Sequence, residues 1–151
     1  LNESLISEFC CSFDIQFSCL RLFNLVGGKD NFSIIYHIRQ SIRKNHPFLL
    51  RNNGQSKRDF IHVADAAALI VPTIANPKTP PILNIGSSKA IPVGSIVEFA
   101  QRLHPELKIK HEVVNEIACS YASMEKYRLQ FGEFQIISVL ENLPNLLTYN
   151  D

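Results

Sequence analysis

Residues 15–23 and 82–86 are apolar almost throughout. A run that is apolar on both faces suits a strand buried in a parallel sheet with helices packed over it. Helical patterns surround these runs. Residues 2–13 place Leu5, Ile6, Phe9 and Phe13 at helical spacing, and residues 33–45 place Ile34, Ile35, Ile38 and Ile42 on one face, with Arg39, Gln40, Arg43 and Lys44 expected outward. Glycines and asparagines supply a loop at 27–31, before the second of these helices, and a turn at 52–55, after a short strand at 48–50. A further strand is expected at 57–63, then an alanine-rich helix at about 64–76 that Pro72 should kink or interrupt. Pro92 opens a helix running to about His104, with Ile96, Val97, Ala100 and Leu103 inward, and residues 108–114 alternate as a half-exposed strand. Ser123 can cap a short helix to about Gln130, and Ser138 with Glu141 has the spacing of a capping box for the last helix. Strands alternating with helices give the α/β class with mostly parallel pairing.

The chain has 151 residues, enough for one domain with a real core, and its 46% apolar and 19% charged content is ordinary for a globular protein. Fifteen basic against 14 acidic side chains leave a net charge of +1, which gives no electrostatic reason to expect nucleic acid or a membrane surface as partner. No apolar run approaches the ~20 residues of a membrane span. The start, Leu1-Asn2-Glu3-Ser4, has no basic stretch of a signal peptide and no initiating Met, which fits a chain cut from something longer. Cys10, Cys11, Cys19 and Cys119 form no C-x-x-C pair, and the five histidines are not spaced to complete a zinc site, so no metal is expected. Reduced cysteines in a cytoplasmic protein are the expectation, with a disulfide framework as the alternative.

Two stretches deliver polar side chains to the end of a strand: Arg21-Leu22-Phe23-Asn24-Leu25-Val26-Gly27 and Arg58-Asp59-Phe60-Ile61-His62-Val63. Together with Asn84-Ile85-Gly86-Ser87 and the closing segment Tyr121-Ala122-Ser123-x-x-Lys126, they fall in an order and spacing that resembles the second half of the extended short-chain dehydrogenase/reductase family, the NAD-dependent nucleotide-sugar epimerases and dehydratases. UDP-sugar 4-epimerases are the members it most resembles. The resemblance implies that Phe23 lies against the nicotinamide of NAD, that Asn24 reaches the diphosphate of a UDP-sugar, and that Arg58 anchors that diphosphate. The residues themselves leave alternatives open. Asn24 could simply satisfy turn backbone, and Arg58 could pair with Asp59 or Asp65. A guanidinium that forks onto two phosphate oxygens is nevertheless well suited to a diphosphate. His62 reads as a hydrogen-bonded core histidine, and Asp65 as a residue near a helix N-terminus.

By resemblance, residues 1–32 end a Rossmann-like doubly wound sheet. Residues 33–151 then form mostly the small mixed α/β substrate-binding region, with strands returning to the main sheet. The N-terminal NAD-binding half is expected to be absent: no glycine-rich dinucleotide loop and no Tyr-x-x-x-Lys pair occur, so no catalytic residue is assigned. The family's R-x-G-D stretch is replaced by Val113-Val114-Asn115-Glu116, which removes one phosphate-binding arginine. The expected function is the nucleotide-sugar-binding portion of an epimerase, inactive by itself. The alternative is a truncated, non-catalytic binding module. The resemblance also implies a homodimer of the parent enzyme through the helix that residues 2–13 continue, which would leave Leu5, Ile6 and Phe9 in search of a partner here.

Overall fold

The computed structural model describes residues 2–148. The order is α1 (Asn2–Ser12), β1 (Cys19–Leu22), β2 (Asn24–Val26), α2 (Ile34–Arg43), β3 (Phe48–Arg51), β4 (Lys57–His62), α3 (Val63–Ala75), β5 (Ile82–Ile85), β6 (Ala90–Pro92), α4 (Val93–Leu103), β7 (Ile109–Glu112), β8 (Cys119–Ser120), α5 (Glu125–Phe131) and α6 (Leu143–Thr148). A single 3-10 turn, Asn52–Gly54, joins β3 to β4. The pairs β1–β5, β2–β4, β3–β7 and β4–β8 are parallel, and β4–β6 is antiparallel. This is the α/β class expected.

The expected strand 15–23 shortens to β1, and a second strand, β2, follows it past Phe23. β1 pairs with β5, Arg21 opposite Asn84, and β2 pairs with β4, Asn24 opposite Phe60. Phe23 lies between them, its N–H donating to the Ile85 carbonyl at 3.0 Å. The chain therefore leaves one neighbour and joins another at Phe23, and a crevice opens there.

β4 divides two cores, because successive strand side chains point to opposite faces. Phe60 belongs to a core built from Ile35 and Ile38 of α2, Phe48 and Leu50 of β3, Ile96, Val97 and Ala100 of α4, and Leu143, Leu146 and Leu147 of α6. Ile61 belongs to a second core with Ala66 and Leu69 of α3, Leu83 and Ile85 of β5, and Tyr127 of α5. Asp59, on the Ile61 side, is fully buried. It accepts from the Ser87 N–H (2.8 Å) and hydroxyl (2.6 Å), the Ser88 N–H (3.0 Å) and the Ala122 N–H (3.0 Å).

Several expectations are corrected. Arg39 is buried, not outward, because α6 packs along that flank of α2 and Arg39 shares a small cavity with Asn142, Asn145 and Leu146. Leu103 is exposed: α4 ends there, and Leu107 fills the core just beyond it. Pro72 does not end α3, which continues to Ala75. Ala66, Leu69 and Thr73 fasten that helix to the second core, and packing overrides the local preference. Ser123 is not a cap: Met124 precedes α5, without a side-chain cap. Nor is Ser138–Glu141 a capping box, since α6 begins only at Leu143, with Pro144 in its first turn, where a missing N–H does least harm. Strands β6 and β8 were not foreseen. The four cysteines are free, and α1 leaves Leu5, Ile6, Phe9 and Phe13 exposed.

Gly86 follows β5 directly against the Asp59 carboxylate. A Cβ there would lie 2.5 Å from the Ala122 Cβ and 2.8 Å from the Asp59 Oδ2. Gly86→Ala should therefore lower stability by about 1–3 kcal/mol, the usual range for overpacking, read as a fall in melting temperature. An unchanged melting temperature would show that the 86–88 loop yields freely.

Candidate functional site

The geometry starts at β4. Arg58, Phe60 and His62 share one face, and the parallel register sets Asn24 beside Phe60. β2 and β8 follow one another along the edge of β4 opposite β6, with Ser120 beside Arg58. Asn24 and Arg58 thus stand on one face, offset by two residues and one strand spacing. At ~3.3 Å per residue and ~4.8 Å between strands, their Cα atoms are about 8 Å apart.

Around the Phe23 crossing, Arg21, Phe23, Asn24, Phe32, Asn84 and Ser120 line a cleft of about 720 Å³. Phe32 also lines a second cleft of about 610 Å³, with His37, Lys44, His46, Arg51 and Glu116. The shared Phe32 makes the two clefts neighbours. The Asn24 amide donates to the Asp59 carbonyl at 2.8 Å, so it does satisfy local backbone, and one amide hydrogen remains. The Asn84 amide donates to the Ser123 carbonyl at 3.1 Å.

Arg58 has a partner that the sequence reading did not name. Its Nη2 donates to Glu116 Oε2 at 3.1 Å and its Nη1 to the Lys57 carbonyl at 2.9 Å. Neither Asp59 nor Asp65 holds it. Asp59 points to the other face, and Asp65 accepts from the Ile137 N–H at 3.2 Å. Two of the five guanidinium N–H groups are taken by these bonds, and three lie outside them. Glu116 Oε1 accepts from the Ser56 hydroxyl at 2.5 Å and the Asn52 amide at 3.0 Å. The Ser56 hydrogen bond most of all, then the Asn52 amide and the charges of Arg58 and Arg51, hold the Glu116 carboxyl below its usual range against the opposing effect of burial.

His62 is a helix cap: its Nδ1 accepts from the Ala64 N–H at 3.1 Å at the start of α3. Gly27, at φ +94°, packs on that ring, and a Cβ there would fall 2.4 Å from Nε2. Phe23, half-buried against the second core, offers an apolar wall to the cleft. Among the described residues, no cluster of His, Cys, Asp or Glu could hold a metal ion, and no helix is long and apolar enough to cross a membrane. Glu116, Arg51 and Phe32 were missed as site residues. Glu116 and Arg58 are far apart in sequence, and no local pattern links them.

The profile of the NAD-dependent epimerase/dehydratase family matches residues 1–86. The chain belongs to this family. Among solved structures, UDP-glucuronic acid 4-epimerase from Bacillus cereus, in complex with UDP-glucuronic acid and NAD, superposes with a TM-score of 0.83 at 17% identity, over 97% of this chain and 49% of that one. UDP-glucose 4-epimerase from Thermus thermophilus, in complex with NAD, gives 0.81 at 15% identity, over 96% and 50%. An epimerase from Methanothermobacter thermautotrophicus gives 0.85 at 16%, over 96% and 46%. The chain therefore spans about half the length of these proteins and shares their Rossmann-like fold.

The lowered Glu116 pKa sets a pH dependence. The unfolded chain takes up this proton before the folded one does as pH falls. The contribution of Glu116 to stability is therefore present above the ordinary carboxylate range and is lost as pH drops through the depressed folded value. Melting temperatures of the wild type and Glu116→Gln, measured from pH 7 to pH 3, should converge toward acid. A constant gap would show that an ionised Glu116 does not support the fold.

Proposed function

We propose that this chain forms the nucleotide-sugar-binding portion of an NAD-dependent nucleotide-sugar epimerase of the UDP-sugar 4-epimerase kind. One observation carries the reading: Asn24 and Arg58 share a face of adjoining strands, beside the crevice at Phe23. The residual amide hydrogen of Asn24 and the residual N–H groups of Arg58 are all donors, which suits phosphate oxygens and no cation. Their ~8 Å Cα separation is short enough for both side chains to reach one diphosphate.

The residues present fit NAD only as a wall: Phe23 would lie against the nicotinamide ring, and no glycine-rich loop is here for the phosphates. Hydride removal from the sugar and its return is the chemistry that NAD supplies in complete enzymes of the family. On this reading, residues 1–32 close the Rossmann-like part and residues 33–151 build the substrate-binding part. The β1 edge not paired with β5 would receive the remainder of the Rossmann-like sheet. The exposed Leu5, Ile6, Phe9 and Phe13 of α1 would pack in a homodimer of the parent enzyme. Free cysteines fit a reducing compartment such as the cytoplasm. The chain alone should not interconvert UDP-glucose and UDP-galactose with added NAD, because no Tyr-x-x-x-Lys pair is present.

Titration of UDP and NAD against the complete parent enzyme decides the assignment. Arg58→Ala should weaken UDP binding by about 1.5–3 kcal/mol, the range for hydrogen bonds to charged groups, or roughly 10- to 150-fold. Arg58→Lys should recover only part, since an ammonium keeps the charge but cannot fork. NAD affinity, titrated in parallel, should stay unchanged. Equal losses for UDP and NAD with a lowered melting temperature would make Arg58 a structural ion-pair residue and defeat the assignment.

A further inference from the structure

We propose that Glu116 is a positioning residue for Arg58, a carboxylate held by Ser56 and Asn52 that presents the guanidinium in one orientation to a nucleoside diphosphate. This rests on the diphosphate reading given above. An exposed ion pair holds nothing firmly, since ordering two long side chains offsets its attraction. The Glu116 pair differs in three respects.

Glu116 is fixed independently of Arg58. Its Oε1 accepts from Ser56 Oγ and Asn52 Nδ2, so only Oε2 is left to face the guanidinium.

Asn52 is itself fixed. Its amide donates to the Val114 carbonyl at 2.9 Å and its Oδ1 accepts from the Val114 N–H at 3.0 Å, as a strand partner would. The backbone behind it has three successive left-handed residues, Asn52 (φ +46°), Asn53 (φ +53°) and Gly54 (φ +70°). Such a run persists only where its surroundings hold it. Here the start of α4 does so: a Cβ on Gly54 would lie 2.5 Å from the Gly94 Cα.

Both members of the pair are only partly accessible, with Arg58 18% and Glu116 23% exposed, so solvent screens the pair less than a surface one. The single end-on contact, Nη2 to Oε2, leaves most of the fork unspent. An arginine already ordered in this way spares the ligand the entropy of ordering it.

The test is a double-mutant cycle on UDP affinity, using the 151-residue chain. Glu116→Gln keeps the shape and removes the charge. It should weaken UDP binding roughly 2- to 150-fold, the span of couplings within one hydrogen-bond network. In an Arg58→Ala background the same substitution should change nothing further, and Glu116→Asp should restore part of the loss in the single variant. An equal loss with and without Arg58 would show that Glu116 meets the ligand or serves only the fold, and would overturn the proposal. A gain in UDP affinity would overturn it too, by making Glu116 a competitor for Arg58. A second readout needs no ligand. The Arg58 Nε–H resonance should be resolved in the wild type and averaged in Glu116→Gln, and an identical signal in both would overturn the proposal. If the wild type binds no UDP, the diphosphate reading fails, and this resonance alone decides whether Glu116 positions Arg58.

Discussion

The arrangement depends on one buried carboxylate. A charge removed from water is tolerated only where its lone pairs are satisfied, and Asp59 accepts four hydrogen bonds, from Ser87, Ser88 and Ala122. These bonds fasten the loop after β5 and the segment entering α5 onto β4. Gly86 gives the loop room to approach. They also fix how β4 is turned about its own axis. With Asp59 committed to one face, Arg58 must leave from the other. The backbone of Asp59 serves the site too, since its carbonyl takes the Asn24 amide. A residue with no part in ligand contact thus sets the placement of both proposed ligand contacts.

The second constraint is the change of partner at Phe23. A strand that stayed paired with β5 along its length would leave no opening. Passing from β5 to β4 separates two ladders and leaves Arg21, Phe23, Asn24 and Asn84 around the gap. Toward the start of β4, the left-handed turn at 52–54 and Glu116 give Arg58 its surroundings. Separate local devices, a strand crossing and a strained turn, thereby serve neighbouring clefts.

What the sequence made legible follows from the range of the forces involved. The helix at Ile34–Arg43 and the strand at Lys57–His62 were readable because their periodicity is local. Asn24 and Arg58 were readable as candidates because polar residues at strand ends stand out against apolar runs. Glu116 was visible only as a departure from a family pattern, since its bonds to Asn52, Ser56 and Arg58 depend on where the chain returns. Arg39 was misread for the same reason: its burial depends on α6, which lies far along the chain. The capping signals at Ser123 and Ser138 failed because the helices begin later, after Met124 for α5 and at Leu143 for α6. Strands β6 and β8, of three and two residues, are too short to show a period at all.

β4 contributes Phe60 to one core and Ile61 to the other. Neither core can open without stripping one face of the strand that the other needs. The two halves are therefore coupled in unfolding, although their side chains form separate clusters. Amide hydrogens along β4, shared by both cores, should therefore be among the last to exchange with solvent. The frayed end of the stability spectrum falls instead on α1, which buries only Cys10 among its eleven residues.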